Sequence, residues 1–146
     1  MEKETNATLV ANALKTKGAI AFAPNGDSMW PFIKNHGQTV IVERLNESPK
    51  VLDVVLFIRN DGSLVLHRVL AVNENLLTLC GDSQFTTETI SPDSVIGVMT
   101  KFYKGKKVVS ARNSKYLKQV EKWYKRKKLR KFRIKLYFFG KRIKAK

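Results

Sequence analysis

Between Ala19 and Tyr103 the chain breaks into six short runs rich in β-branched and aromatic residues: AIAFA (19–23), QTVIVER (38–44), VLDVVLFIR (51–59), LVLHRVLAV (64–72), LLTLCG (76–81) and SVIGVMTKFY (94–103). Turn residues separate the runs, and no long helical period lies between them, so the connections that parallel strands would need are missing. This pattern predicts a mainly β domain, a coiled antiparallel sheet or partly closed barrel. Asn60-Asp61-Gly62 marks a tight hairpin between the third and fourth runs. Asn73–Asn75 and Phe85–Ser94 read as loops.

The two ends differ from this middle. Thr5 or Asn6 can cap a short helix in which Leu9, Val10, Ala13 and Leu14 share a face, and Gly18 stops it. After Lys104 the segment SARNSKYLKQVEKWYKRKKLRKF has no Pro or Gly, and Leu117, Val120 and Tyr124 fall on one helical face beside Trp123. Further on, Phe132, Ile134, Leu136 and Phe138 alternate with cations as in a strand, whereas Leu129, Phe132, Leu136 and Phe139 fit a helix, which is the preferred reading. The expected organisation is an N-terminal helix (1–18), a β domain (19–110) and a basic, aromatic-rich C-terminal tail (111–146).

Charge follows the same division. Residues 1–100 carry 8 Lys+Arg against 11 Asp+Glu, whereas residues 101–146 carry 20 against 1. The net +16 therefore belongs to the tail. A single cysteine, Cys80, excludes an internal disulfide, and with two histidines it leaves too few ligands for a structural zinc site. No cofactor is implied. The apolar stretches of residues 1–23 are too short for a signal-peptide core or a membrane span, so a cytoplasmic or peripheral membrane location is expected.

One stretch asks for more than a turn. In NGDSMWPFI (25–33), Ser28 lies in a polar bend followed at once by Met29, Trp30 and Pro31, the setting of a nucleophile or a ligand contact beside an apolar surface. A serine hydroxyl needs a base at neutral pH. Of the two histidines, His36 lies in a Gly-containing turn and reads as a solvated loop residue. His67 sits inside an apolar run, on one side of the strand with Val65 and Val69, while Leu66, Arg68 and Leu70 face the other. Alone it reads as a hydrogen-bonded core histidine; paired with Ser28 it is a candidate base.

The order GDSMWP, VLDVVLF, VLHRVL, CGDSQF resembles the signal peptidase I superfamily of serine peptidases, which includes the self-cleaving LexA-like SOS repressors. Gly26, Ser28, Met29 and Pro31 match the G-x-S-M-x-P element that bears the nucleophile. Bacterial members carry a lysine base on the following strand. His67-Arg68-Val69 is similar to the histidine-base, archaeal and endoplasmic-reticulum branch. The resemblance covers about residues 20–100. It implies Ser28 as nucleophile, His67 as base, and Asp82 of the third, GD-type element as the acid supporting the imidazolium, against the simpler reading of Asp82 as a turn residue. It also implies that Gly26, Met29, Trp30 and Pro31 form the oxyanion and substrate-facing rim, with the Ser28 N–H stabilising the oxyanion. Four positions depart from the family pattern: Gln38 replaces an acid, Leu52 replaces the glycine before Asp53, and Ser83 and Gln84 replace the usual residues after the third GD. Asp27 reads as a turn residue, Asp53 as a paired structural acid, and Arg68 as one half of a scaffold ion pair.

The expected function is a serine endopeptidase that cleaves a leader or signal-like peptide. The alternative is a non-catalytic peptide- or nucleic-acid-binding regulator on a LexA-like β domain. For the tail, 111–146, an anionic membrane surface ranks first as partner, with Trp123, Tyr124, Phe132, Tyr137, Phe138 and Phe139 available for shallow insertion. An acidic partner protein ranks second and nucleic acid third.

Overall fold

The computed structural model describes residues 6–35 and 37–145, Ala145 by its backbone alone. Thr5, one of the two expected caps, and His36 lie outside the described residues. Helix α1 (Asn6–Lys17) opens the chain. Gly18 ends it in a left-handed conformation (φ 81°), its N–H donating to Leu14 O at 2.9 Å.

All six expected runs are strands: β1 (Ala19–Phe22), β2 (Val40–Glu43), β3 (Val54–Ile58), β4 (Leu64–Asn73), β5 (Leu76–Cys80) and β7 (Val95–Lys104). Two more were not foreseen. β6 (Glu88–Ile90) lies in the stretch expected to be a loop, and β8 (Lys107–Ser110) pairs with β7. Every ladder is antiparallel, in the order β1-β2-β7-β3-β4-β5-β6. The sheet is open, with β1 and β6 at its ends. The Asn60–Gly62 turn joins β3 to β4 as expected, with Gly62 at φ 86°.

The central strands are buried on both faces, so each face builds its own apolar cluster. Val54, Leu56 and Leu66 join Leu14 of α1, Met29, Ile33, Val40, Val42 and Met99 in one. Val55, Phe57, Val69, Leu77 and Leu79 form the other. Alternation along β4 thus sends Leu66 and Val69 into different clusters, as period two requires.

Among the described residues, the tail from Ser114 is helical except at Arg126. Helix α2 (Ser114–Lys125) starts at Asn113, whose side chain accepts the Tyr116 N–H at 3.0 Å. After Arg126, helix α3 (Lys127–Ala145) continues. Neither helix is a free appendage. Tyr116 and Val120 belong to the first apolar cluster, and Trp123 and Ile134 are buried too.

Candidate active site

Ser28 and His67 line one cleft of about 730 Å³, together with residues 20–26 on and after β1, Met29, Ile33 and Leu56, and with Leu9, Val10 and Ala13 of α1. Ser28 lies in the turn that follows Gly26, whose φ of 87° suits glycine. Its carbonyl accepts the Ser83 N–H at 3.0 Å, and the Ser83 hydroxyl donates to Asp27 O at 2.6 Å. The third element of the sequence pattern is therefore seated directly on the serine turn. Gly81 makes that fit possible, because a Cβ there would stand 2.7 Å from Ser28 O. No hydrogen bond joins Ser28 Oγ to His67.

His67 is only 3% exposed. Its Nδ1 lies 3.1 Å from Oε1 of Glu88 on β6. An ionised carboxylate only accepts hydrogen bonds, so Nδ1 carries the hydrogen and Nε2 keeps a lone pair. Glu88 is held in turn by Arg59, whose Nη2 and Nε donate to its two oxygens at 2.7 and 3.1 Å. That fork keeps the Glu88 carboxyl below the ordinary range. Burial pushes the His67 pKa below its usual value, and the nearby Glu88 charge offsets this only in part because Arg59 already neutralises it. The imidazole is neutral at pH 7, the state a general base requires.

Asp82 does not take the role the resemblance implied. Its carboxylate accepts from Arg68 Nε and Nη2 at 2.8 and 2.7 Å and from the Tyr124 hydroxyl at 2.5 Å, and both Asp82 and Arg68 are 0% exposed. The physical reason is on β4: Arg68 faces opposite to His67, and a buried guanidinium must have a carboxylate. Arg68 also donates to Leu52 O and the Tyr116 hydroxyl. Burial alone would disfavour its charge, but Asp82 and Tyr116 outweigh burial and drive its pKa upward. The reading of Arg68 as a scaffold ion pair is correct, and Glu88 takes the place beside His67.

Of the expected rim, Gly26 and Met29 line the cleft, Met29 as a core residue. Trp30 and Pro31 do not. Trp30 stacks on Tyr137 of α3 at 4.2 Å between ring centroids and meets Trp123 edge-on at 5.9 Å. Pro31, after a cis Trp30–Pro31 bond, faces a groove lined by Gln119, Lys122 and Trp123 of α2. Both are turned away because the tail packs against this side of the serine turn. Asp27 differs as well: its side chain accepts from the Tyr137 hydroxyl at 3.0 Å and pairs with Lys141, rather than from neighbouring backbone N–H groups. Asp53 is paired as expected, with Arg112 at 2.8 Å and the Lys50 N–H at 2.8 Å.

Sequence reasoning missed Glu88 and Arg59, and it assigned Trp123, Tyr124 and Tyr137 to membrane insertion, whereas Trp123 is buried, Tyr124 bonds Asp82 and Tyr137 stacks on Trp30 because both helices pack on the β domain. Glu88 had one signal, the β-branched residues Thr86, Thr87, Thr89 and Ile90 around it, which suit an edge strand. From α2 and α3, Trp123 Nε1 donates to Asp82 O at 2.9 Å, and Arg130 donates to the carbonyls of Asp82 and Gln84 at 3.1 and 2.5 Å. The tail thus clamps the loop that supports Ser28. No protein-family model matches the chain, and no curated protein is significantly similar to it.

Proposed function

We propose that this chain is a serine endopeptidase acting on an extended leader or signal-like peptide, of the signal peptidase I and LexA-like kind, in its histidine-base form. The observation that carries this reading is that Ser28 and a Glu88-anchored His67 line the same cleft. Two details agree with the family pattern. Leu52, where that pattern has glycine, holds φ 77°, a left-handed conformation that favours glycine. The GD element at 81–82 packs on the serine turn.

In the first step Ser28 Oγ bonds to the scissile carbonyl carbon while its proton passes to His67 Nε2, and the carbonyl oxygen becomes an oxyanion. The Ser28 N–H, unbonded among the described residues, is the donor available to that oxyanion. Collapse breaks the C–N bond, and Nε2 returns its proton to the departing amine. Water then attacks the acyl-serine with His67 again as base, releasing the acid and restoring Ser28. Glu88 stabilises the transient imidazolium. The substrate runs along β1, whose outer edge has no partner in the sheet and whose residues 20–22 line the cleft.

The test is cleavage of a fluorogenic peptide with alanines before the scissile bond, with products identified by mass spectrometry, alongside labelling by a fluorophosphonate. Ser28→Ala and His67→Ala should each abolish cleavage, and Ser28→Ala should abolish labelling. Activity retained in either variant overturns the assignment. The missing Ser28–His67 hydrogen bond favours a second reading, a non-catalytic peptide-binding domain. That reading predicts peptide binding with no cleavage and no labelling of wild type.

A further inference from the structure

Helix α3 presents two faces. The inner one, with Arg130, Ile134, Tyr137 and Lys141 spaced three and four apart, grips the serine turn and the 81–84 loop. On the opposite side Leu129, Phe132, Leu136, Phe139 and Ile143 repeat with the same spacing, and each is between 46% and 62% exposed. Phe85, 53% exposed at the tip of the 81–85 loop, shares an apolar surface groove with Phe132, Leu136 and Phe139. A stripe of this size is costly in water unless something covers it.

We infer that this outer face of α3, with Phe85, is a docking surface for an anionic phospholipid membrane, on which the helix lies in the plane of the headgroups. Charge identifies the occupant. Lys128, Lys131, Lys135 and Arg142 flank the stripe on one side and Lys144 on the other, where Arg133 instead lies over the rings of Trp30 and Trp123, and α3 has no acid. Apolar side chains beside a row of cations suit lipid tails beneath anionic headgroups. A second copy of the chain is a poor occupant, since pairing two such faces would set cation rows against each other with no acid to compensate. Nucleic acid fits less well, because Leu129, Leu136 and Ile143 offer no aromatic face for a base to stack on. The helix spans about 28 Å at 1.5 Å per residue. Lying flat, it holds Ser28 at the membrane surface through Tyr137 and Lys141 on Asp27. The inference is independent of the proposed chemistry, because none of its residues line the cleft.

Co-sedimentation of the full chain with vesicles tests it, comparing phosphatidylcholine alone with phosphatidylcholine containing about 30 mol% phosphatidylserine. The wild type should bind the anionic vesicles about tenfold or more tightly than the neutral ones. Phe132→Ser/Leu136→Ser/Phe139→Ser should lose about tenfold of that affinity with its melting temperature unchanged, as should the single variant Phe132→Glu. The proposal is overturned by failure to bind anionic vesicles, or by variants that bind as tightly as wild type. It is equally overturned by a wild-type dimer that the triple variant dissolves, or by binding of single-stranded RNA with no binding to vesicles.

Discussion

Replacing Asp82 by alanine separates the role the structure gives it from the one the resemblance implied. The substitution removes every carboxylate contact of Arg68, leaving a guanidinium with no exposure and only Leu52 O and the Tyr116 hydroxyl as acceptors. Arg68 cannot escape by losing its proton, because its pKa starts far above neutrality. Breaking one side of a buried pair costs about 3–5 kcal/mol. For a chain of this size that corresponds to a fall in melting temperature of about 10 °C or more. Urea unfolding followed by tryptophan fluorescence reads the effect directly, since Trp123 donates to the Asp82 carbonyl. Arg68→Met/Asp82→Leu should recover most of the loss, because an apolar pair of similar volume needs no counter-charge. An Asp82→Ala protein within about 1 kcal/mol of wild type would refute the reasoning. Were Asp82 instead the acid that orients His67, the variant would lose activity at nearly unchanged stability.

Glu88→Gln should reverse that pattern, lowering kcat about 10²-fold through a misdirected imidazole while the melting temperature moves little, because Glu88 sits on an edge strand; steady-state kinetics beside thermal melts check it. Because burial holds the His67 pKa below its usual value of about 6.5, the acid limb of the activity profile should lie below that pH. The same depression means the unfolded chain binds a proton first, so stability falls as pH drops through about 6.5. Arg59→Ala removes a positive charge that lowers this pKa, and should move both the limb and the His67 Cε1–H NMR titration to higher pH. Gly81→Ala places a Cβ 2.7 Å from Ser28 O, and should cost about 1–3 kcal/mol in urea unfolding and reduce activity as the serine turn is displaced.

Local physics made much of the fold legible. The Asn60–Gly62 turn, the Gly18 stop and the β-branched runs each follow from residue type, and period-two alternation placed His67 and Arg68 on opposite sides of β4. Asp82 was harder, because which of two nearby groups wins a buried carboxylate depends on tertiary burial. Arg68, fully enclosed, has no other counter-charge among the described residues, whereas His67 can stay neutral. Glu88 was missed because a three-residue edge strand carries too little pattern to distinguish it from a loop.

The tail shows a different limit. Phe132, Ile134, Leu136 and Phe138 alternate like a strand because two apolar stripes on opposite sides of one helix interleave along the sequence, so a search for a single amphipathic face finds neither cleanly. The charge imbalance has the same origin. Inward-facing cations have partners on the packed side: Lys141 on Asp27, Arg112 on Asp53, Arg130 on the carbonyls of the 81–84 loop, and Arg133 over the rings of Trp30 and, within the tail itself, Trp123. The acids of the first hundred residues thus serve partly to seat the tail. Part of the remaining positive charge, Lys128, Lys131, Lys135, Arg142 and Lys144, lies beside the apolar stripe on the outward side of α3. Sequence counting attributed that charge to the tail as a whole, but the fold divides it into a share that holds the serine turn and a share left for a partner.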